Sequence, residues 1–253
     1  MHFAIVIPTY KRVEKLENLL TSILASTHQD FDIHVLADNK DYSTMSHIKR
    51  HFRTNEKVKC YVMSKHKFVS GCWNHFTKYH FDEIKDAMVW LVDDVELDVD
   101  CLENLSKDLE ACFPDTDGVV GIRQRCPNQK GLHGTEFGQV ALGKKFIERY
   151  QDNQVCMISY LHFYQDREMY EYAKSLDKFH FSETAKLTHY HPNRVPSYKD
   201  STHKITRGMV KNLDDECFRK RREKGLLWGE SFKTLDINLQ NKHEFLEDDN
   251  EYS

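Results

Sequence analysis

Apolar positions in the first half of the chain follow two alternating rhythms. Short continuous apolar runs at residues 3–8, 31–37, 58–63, 87–92 and 118–122 predict strands buried on both faces. Between them apolar side chains recur at helical spacing. Val13, Leu16, Leu19, Leu20, Ile23 and Leu24 mark one helix, and Leu102, Leu105, Leu109 and Cys112 another. Residues 44–52 and 71–80 predict two more. Strands alternating with helices specify an α/β fold, a mostly parallel, Rossmann-like sheet with right-handed crossovers flanked by helices.

The rhythm loosens over residues 123–143, where Gly131, Gly134, Gly138 and Gly143 suit a mobile loop over a site. Beyond residue 154 the chain turns aromatic, with Tyr160, Phe163, Tyr164, Tyr170 and Tyr172. Residues 166–176 predict a helix and 178–189 a pair of strands. Residues 202–224 are charged and helical, with Asp214, Asp215 and Glu216 ahead of a basic run at 219–222. The acidic tail at 247–251 is expected to fray. With no repeat and no linker, the division is one domain over residues 1–200 and a charged helical extension over 201–253, its tail partly disordered.

Composition narrows the classes. A formal net charge of -4 gives no general attraction to nucleic acid or anionic lipid. No apolar run reaches the roughly 18 residues a membrane span needs, and the first residues are too short and uncharged for a signal peptide. The seven cysteines contain no C-x-x-C pair, which favours free thiols in a reducing compartment, the cytoplasm.

The strongest chemical signal is where the strand at 87–92 runs into Asp93 and Asp94. Open α/β sheets bind ligands just beyond the carboxyl ends of their strands, and hard divalent cations take oxygen ligands. A carboxylate pair delivered to that edge suits a cation or the cap of the next helix.

The segment Ile5-Val6-Ile7-Pro8-Thr9-Tyr10-Lys11-Arg12 resembles the opening of the inverting nucleotide-sugar glycosyltransferases of GT-A type, the large "family 2" group. Four features follow in that family's order: Asp38, Gly71-Cys72-Trp73-Asn74, Asp93-Asp94 and His189-Tyr190-His191-Pro192. The resemblance covers residues 3–200 and lies in the ordered spacing of short motifs. It implies that Pro8 and Thr9, with Tyr10 and Arg12, line a nucleotide pocket and that Asp38 accepts a hydrogen bond from the base. Lys65 and Asn74 would meet the diphosphate or ribose. Trp73, Tyr160, Phe163 and Tyr164 would offer a stacking platform to the sugar, and Asp200 an acid near the phosphates. Asp94 would ligate Mn2+ or Mg2+ directly, Asp93 through water or the sugar hydroxyls, and His189 or His191 would complete the metal site. Val92 departs from the pattern, standing where relatives often carry a further acid. Asp166 would be the base that takes the acceptor's proton, with Glu168 the second candidate.

The function so implied is metal-dependent transfer of a sugar, with inversion, from a nucleotide-sugar donor, a UDP-sugar first, to a glycan or other hydroxyl. A modified DNA base is a minority acceptor, for which the run at 219–222 would supply positive charge. Two alternatives share the fold. A nucleotidylyltransferase would want a glycine-rich loop after the first strand, and residues 8–12 contain no glycine. A non-catalytic nucleotide- or sugar-binding protein finds its support in Val92.

Overall fold

The structure, a computed structural model, describes residues 1–127, 137–191 and 199–235. The chain opens as β1 (Phe3–Thr9), buried at every position as its apolar run requires. It continues through α1 (Val13–Leu24), β2 (Phe31–Ala37), α2 (Tyr42–His51), β3 (Val58–Val62), α3 (Phe68–Tyr79) and β4 (Ala87–Trp90). Strands β3, β2, β1 and β4 lie side by side in that order, each pair parallel. Helix α1 buries Leu16, Leu19, Leu20 and Ile23, the stripe its spacing predicts.

Past β4 the sheet is mixed rather than parallel throughout. The expected strand ending at Asp93 stops at Trp90; the chain turns through Asp93 and Asp94 and leaves as the short β5 (Val95–Leu97). After α4 (Cys101–Cys112), the strands β6 (Val119–Arg125) and β7 (Val140–Gly143) pair antiparallel with one another, and β7 pairs antiparallel with β4. Both ends of the segment expected to be loop are therefore strand; Gly131 and Gly134 lie outside the described residues. At Gly143 a Cβ would stand 2.0 Å from the Thr116 carbonyl oxygen, so the close approach of those backbones requires glycine.

Helices α5 (Lys144–Ile147) and α6 (Gln165–Ser175) lead to β8 (Phe179–His189), which is one strand and not the expected pair. It runs parallel to β6 and antiparallel to β5, with a shift of register opposite residues 121–123. The Ser182-Glu183-Thr184 stretch that looks like a turn is this irregularity: Ser182 Oγ accepts from the Ala185 N–H at 2.8 Å and the Thr184 N–H at 3.3 Å, supplying partners where the ladder slips. The whole sheet orders as β3-β2-β1-β4-β7-β6-β8-β5.

Two apolar clusters cover the sheet. One joins its β1 and β2 side chains to α1 and α4; the other gathers Trp73, Trp90, Phe146 and Tyr160. The C-terminal helices α7 (Ser201–Ile205) and α8 (Lys211–Glu223) are joined by a wide helical turn over residues 206–210, and α8 with the residues after it contributes to the second. Cys217 and Trp228 are buried in it beside Met169 of α6, so residues 201–235 pack into the same core as the rest. The tail at 247–251 lies outside the described residues. The cysteines are free thiols, and among the described residues no helix is long and apolar enough to cross a membrane.

Candidate active site

Beyond the carboxyl ends of β1, β2 and β4 opens a cleft of about 710 Å³. Pro8, Thr9, Tyr10, Arg12, Asp38, Trp73, Asp93, Asp94, Asp166, His189 and His191 all line it, although they come from six separated stretches of sequence. Lys65 and Asn74 do not, nor does Glu168.

At its floor the acids of the β4–β5 turn meet the basic end of the first strand. Thr9 Oγ1 donates to Asp93 Oδ2 at 2.8 Å, and Arg12 Nη1 donates to Asp93 Oδ1 at 2.7 Å. Arg12 also lies 3.6 Å from Asp94 Oδ2 and donates to Asp200 Oδ1 at 3.2 Å. Lys15 Nζ reaches Asp200 Oδ2 at 2.6 Å. Burial opposes the charge on Arg12, but Asp93, Asp94 and Asp200 outweigh it and raise its pKa. Burial works against ionised Asp94 too, yet hydrogen bonds from His189 and His203 together with the Arg12 charge hold its carboxyl well below the usual range.

Each oxygen of Asp94 faces an imidazole: His189 Nε2 is 3.3 Å from Oδ1 and His203 Nε2 is 3.5 Å from Oδ2. His189 Nδ1 lies 2.8 Å from Gln124 Oε1. An amide oxygen there accepts the Nδ1 hydrogen and turns Nε2 to Asp94, the second-shell arrangement that orients metal-bound histidines. Nε2 either carries a proton shared with the carboxylate or, deprotonated, leaves its lone pair and the carboxylate oxygen to a common cation, whose adjacent ligands stand about 3 Å apart. Asp94, His189 and His203 are the donors a divalent ion would meet here, with Arg12 Nη2 already 3.0 Å from the His203 ring nitrogens. Of the two histidines between which the sequence left the third ligand open, His189 faces Asp94, and His191 lies in the cleft wall with its ring 5.2 Å from that of His189. The fit is looser than a closed site. Among the described residues, the trios whose ligand atoms all lie within 4.8 Å of one another are Glu17–His47–His51 and Asp32–His34–Glu83, both outside the cleft.

On the opposite wall the chain enters α6 through a held loop. Asp214 on α8, fully buried, accepts the N–H groups of Leu161 at 3.0 Å, His162 at 2.8 Å and Phe163 at 2.8 Å. Tyr164 follows with φ 71°, a left-handed conformation strained for a bulky residue. Its hydroxyl donates to Asp215 at 2.5 Å and its ring stacks on Phe218 with centroids 4.2 Å apart. Two residues on, Asp166 lines the cleft, and removal from water pushes its carboxyl up to about 6. Burial, with the nearby Arg12 charge, lowers His162 to about 4.

Several expected contacts are used otherwise. Glu168 is buried in an ion pair: Arg221 donates to both oxygens at 2.8 Å, Tyr160 donates to Oε1 at 2.6 Å and the Trp228 N–H to Oε2 at 2.8 Å. It has no capacity left to take a proton from an acceptor. Asn74 closes a two-way bond with the Cys156 backbone at 2.7 and 2.8 Å, and Lys65 is exposed on the surface. Asp38 faces the cleft, but its oxygens already accept from the N–H groups of Asn39, Lys67 and Phe68 and pair with His66. That fills a carboxylate's lone-pair sites, so Asp38 shapes the entry to α3. The aromatic wall beside it is Tyr10, His66 and Phe68, with ring centroids 5.1 and 3.8 Å apart. Trp73 stacks on Trp90 at 4.4 Å and is almost wholly buried, as is Tyr160; Phe163 and Tyr164 face the cleft. Val92 lends its N–H to Gln139 Oε1 at 3.0 Å, tying the acidic turn to the base of β7. The run at 219–222 is paired off internally with Glu223, Glu216, Glu168 and Glu171, leaving little charge for DNA or a membrane.

Sequence reasoning missed His203, Arg207, His162 and Gln124, all of which line the cleft. The one available signal was the Asp200-x-x-His203 spacing: Asp200 caps α7 by accepting from the His203 N–H at 3.0 Å, which sets the imidazole facing inward. Among fifteen histidines it did not stand out.

The model of the family "Glycosyl transferase family 2" matches residues 4–173. No curated protein sequence matches. Among solved structures, TarS 1–349 of S. aureus in complex with UDP is similar at 14% identity and a TM-score of 0.59, over 89% of this chain and 74% of that one. The mannosyltransferase PcManGT from Pyrobaculum calidifontis, in complex with GDP-Man and Mn2+, is similar at 14% identity and a TM-score of 0.58, over 77% and 58%. GalNAc-T7 with UDP, GalNAc and Mn2+ is similar at 12% identity and a TM-score of 0.58, over 75% and 44%. Those likenesses show the GT-A fold. With the family model spanning most of the cleft's residues, the chain belongs to glycosyl transferase family 2 and is a transferase that acts on a nucleotide-sugar donor.

Proposed function

We propose that the protein transfers a sugar from a UDP-sugar to a hydroxyl of a glycan acceptor, with inversion, and that it uses Mn2+ or Mg2+ held by Asp94, His189 and His203. The observation that carries the reading is Asp94 between two imidazoles at 3.3 and 3.5 Å at the end of a strand. Charge balance supports it. Asp93, Asp94 and Asp200 set three carboxylates against Arg12 and Lys15 at the floor, so the cations there are already engaged by acids and a diphosphate gains from a further positive charge. A divalent ion in the Asp94 group would supply the Lewis acidity that stabilises the departing diphosphate.

The chain's own residues divide the remaining work. Tyr10, His66 and Phe68 take the base against their rings, and Thr9 and Arg12 hold Asp93 still so that it meets the sugar or ribose hydroxyls. Asp166 accepts the proton of the acceptor hydroxyl as that oxygen attacks the anomeric carbon from the side opposite the leaving diphosphate. Its raised pKa suits a base working near neutrality. The seven free cysteines support a reducing compartment, the cytoplasm.

Release of UDP from UDP-sugars, with and without acceptor glycans, tests the reading. Turnover is expected with Mn2+ or Mg2+, abolished by chelation and by Asp94→Ala. Undiminished release by Asp94→Ala in chelator would remove the metal role, and no binding of any nucleotide sugar would remove the activity.

A further inference from the structure

A second cluster of metal-binding side chains lies outside the cleft, between α1 and α2. His47 and His51 stand one helical turn apart on α2, so their imidazoles project from the same face. The rings stack with centroids 4.2 Å apart at 15°. From α1, Glu17 Oε1 lies 2.7 Å from His47 Nε2 and 3.8 Å from His51 Nδ1. A salt bridge with one histidine accounts for the first distance. It leaves the second unexplained, because 3.8 Å is too long for a hydrogen bond, and the two distances bracket the roughly 3.3 Å edge of a tetrahedron of ligands about 2 Å from one ion.

The other trio of this kind makes a useful contrast. In Asp32–His34–Glu83 the charge is already met by Lys59, whose Nζ lies 2.6 Å from Glu83 and 3.5 Å from Asp32. No such cation is paired to Glu17, which interacts with the two histidines alone among its ion pairs in the described residues.

We propose that Glu17, His47 and His51 bind one transition-metal ion, Zn2+ or Ni2+ in preference to Mg2+ or Mn2+, in a three-ligand site open to solvent on its fourth side. Two imidazoles and one carboxylate form a recurrent protein set for zinc. Imidazole-rich sites favour metals late in the first transition row, whereas Mg2+ and Mn2+ favour oxygen. The ion ties the last turn of α2 to α1, the helix whose first residues place Arg12 and Lys15 in the cleft. It stabilises the folded chain without entering the reaction.

Calorimetric titration of the full chain with ZnCl2 in excess Mg2+ tests this, with Co2+ as a coloured substitute. Because the cleft trio offers the same donor types, the variants are compared in the Asp94→Asn background, where one zinc ion is expected to bind and Co2+ at the α1–α2 site is expected to give visible absorption. His47→Ala/His51→Ala is expected to weaken zinc binding more than about tenfold, as loss of two of three ligands requires, and to lose the Co2+ colour. Glu17→Gln, which keeps both helices intact, is expected to weaken binding less. These side chains are partly exposed, so a folded variant is expected, checked by circular dichroism. If the double variant does not fold, Glu17→Gln and the single His51→Ala carry the test. Zinc binding unchanged by the folded variants, or no zinc uptake by the wild type, would overturn the proposal.

Discussion

Asp214→Asn isolates the link between the C-terminal helix and the reacting wall. Asp214 is fully buried and accepts three successive backbone N–H groups, two of them on Oδ2 and one on Oδ1. Asparagine has nearly the same shape but one acceptor oxygen. Kept on the doubly used side, that oxygen leaves its NH2 group facing the Leu161 N–H, which costs roughly 1–3 kcal/mol for an unpaired donor. The two bonds that survive change from charge-assisted to neutral, about 1 kcal/mol each. Removing a buried charge gives back part of this, so the net loss is about 2–4 kcal/mol. The freed loop carries Tyr164 in its strained conformation and, two residues later, Asp166. A base displaced by about 1 Å costs on the order of 10²-fold in rate. Urea unfolding is expected to show the lost stability. Steady-state kinetics is expected to show a reduced kcat with the donor KM little changed, because the rings proposed to hold the nucleotide base, Tyr10, His66 and Phe68, do not touch this loop's anchor on α8. A variant within about 0.5 kcal/mol of wild type, typical of surface substitutions, and with unaltered kcat, would refute the claim that this carboxylate positions the base.

Asp166→Asn is expected to lower kcat by about 10²–10⁴, the range for removing a general base, with the fold intact by circular dichroism; full activity would exclude the role. Because the base must be ionised and its pKa is raised to about 6, kcat/KM is expected to rise with pH up to about 6 and level above it, and this limb is expected to vanish in the asparagine variant. Burial lowers His34 from 6.5 to about 4, so the unfolded chain binds the extra proton in that window and stability is expected to fall as pH drops from 6.5 to 4. The 2.5-unit difference corresponds to about 3 kcal/mol at 1.36 kcal/mol per unit. Unfolding titrations of His34→Leu are expected to show that much less acid sensitivity, and an identical acid slope would discount it.

The strand–helix alternation of the first half was legible because each strand is buried on both faces and each helix on one, so burial writes the pattern directly. β1, β2 and α1 fall within a residue or so of where apolar spacing puts them. The second half was harder, since antiparallel pairs and a slipped register leave no such mark. β7 is only four residues long, and β8 hides its irregularity in Ser182. The site followed the same division. Thr9, Arg12, Asp93 and Asp94 could be found because they sit at strand ends. Glu168 and Asn74 carry the right chemistry, but their partners, Arg221 and Cys156, lie 53 and 82 residues away. Sequence spacing cannot reveal that a polar group is already satisfied by a distant one.

That distant pairing also explains how Asp166 can be both poorly solvated and well placed. A carboxyl raised to about 6 needs surroundings with few dipoles of its own, and such surroundings give little to hold a loop. Here the holding is done behind Asp166 instead of around it. Asp214 secures the backbone before it, Asp215 and Phe218 secure Tyr164, and the Glu168–Arg221 pair secures the turn of α6 just after it. All these restraints end on α8, which contributes no group of its own to the cleft lining. The extension that sequence set apart from residues 1–200 is thus the frame for the cleft wall that carries Asp166. The buried Glu168–Arg221 pair need not be a net gain in stability, since such pairs often only break even. What it adds is a fixed orientation between α6 and α8, and Asp166 depends on that orientation.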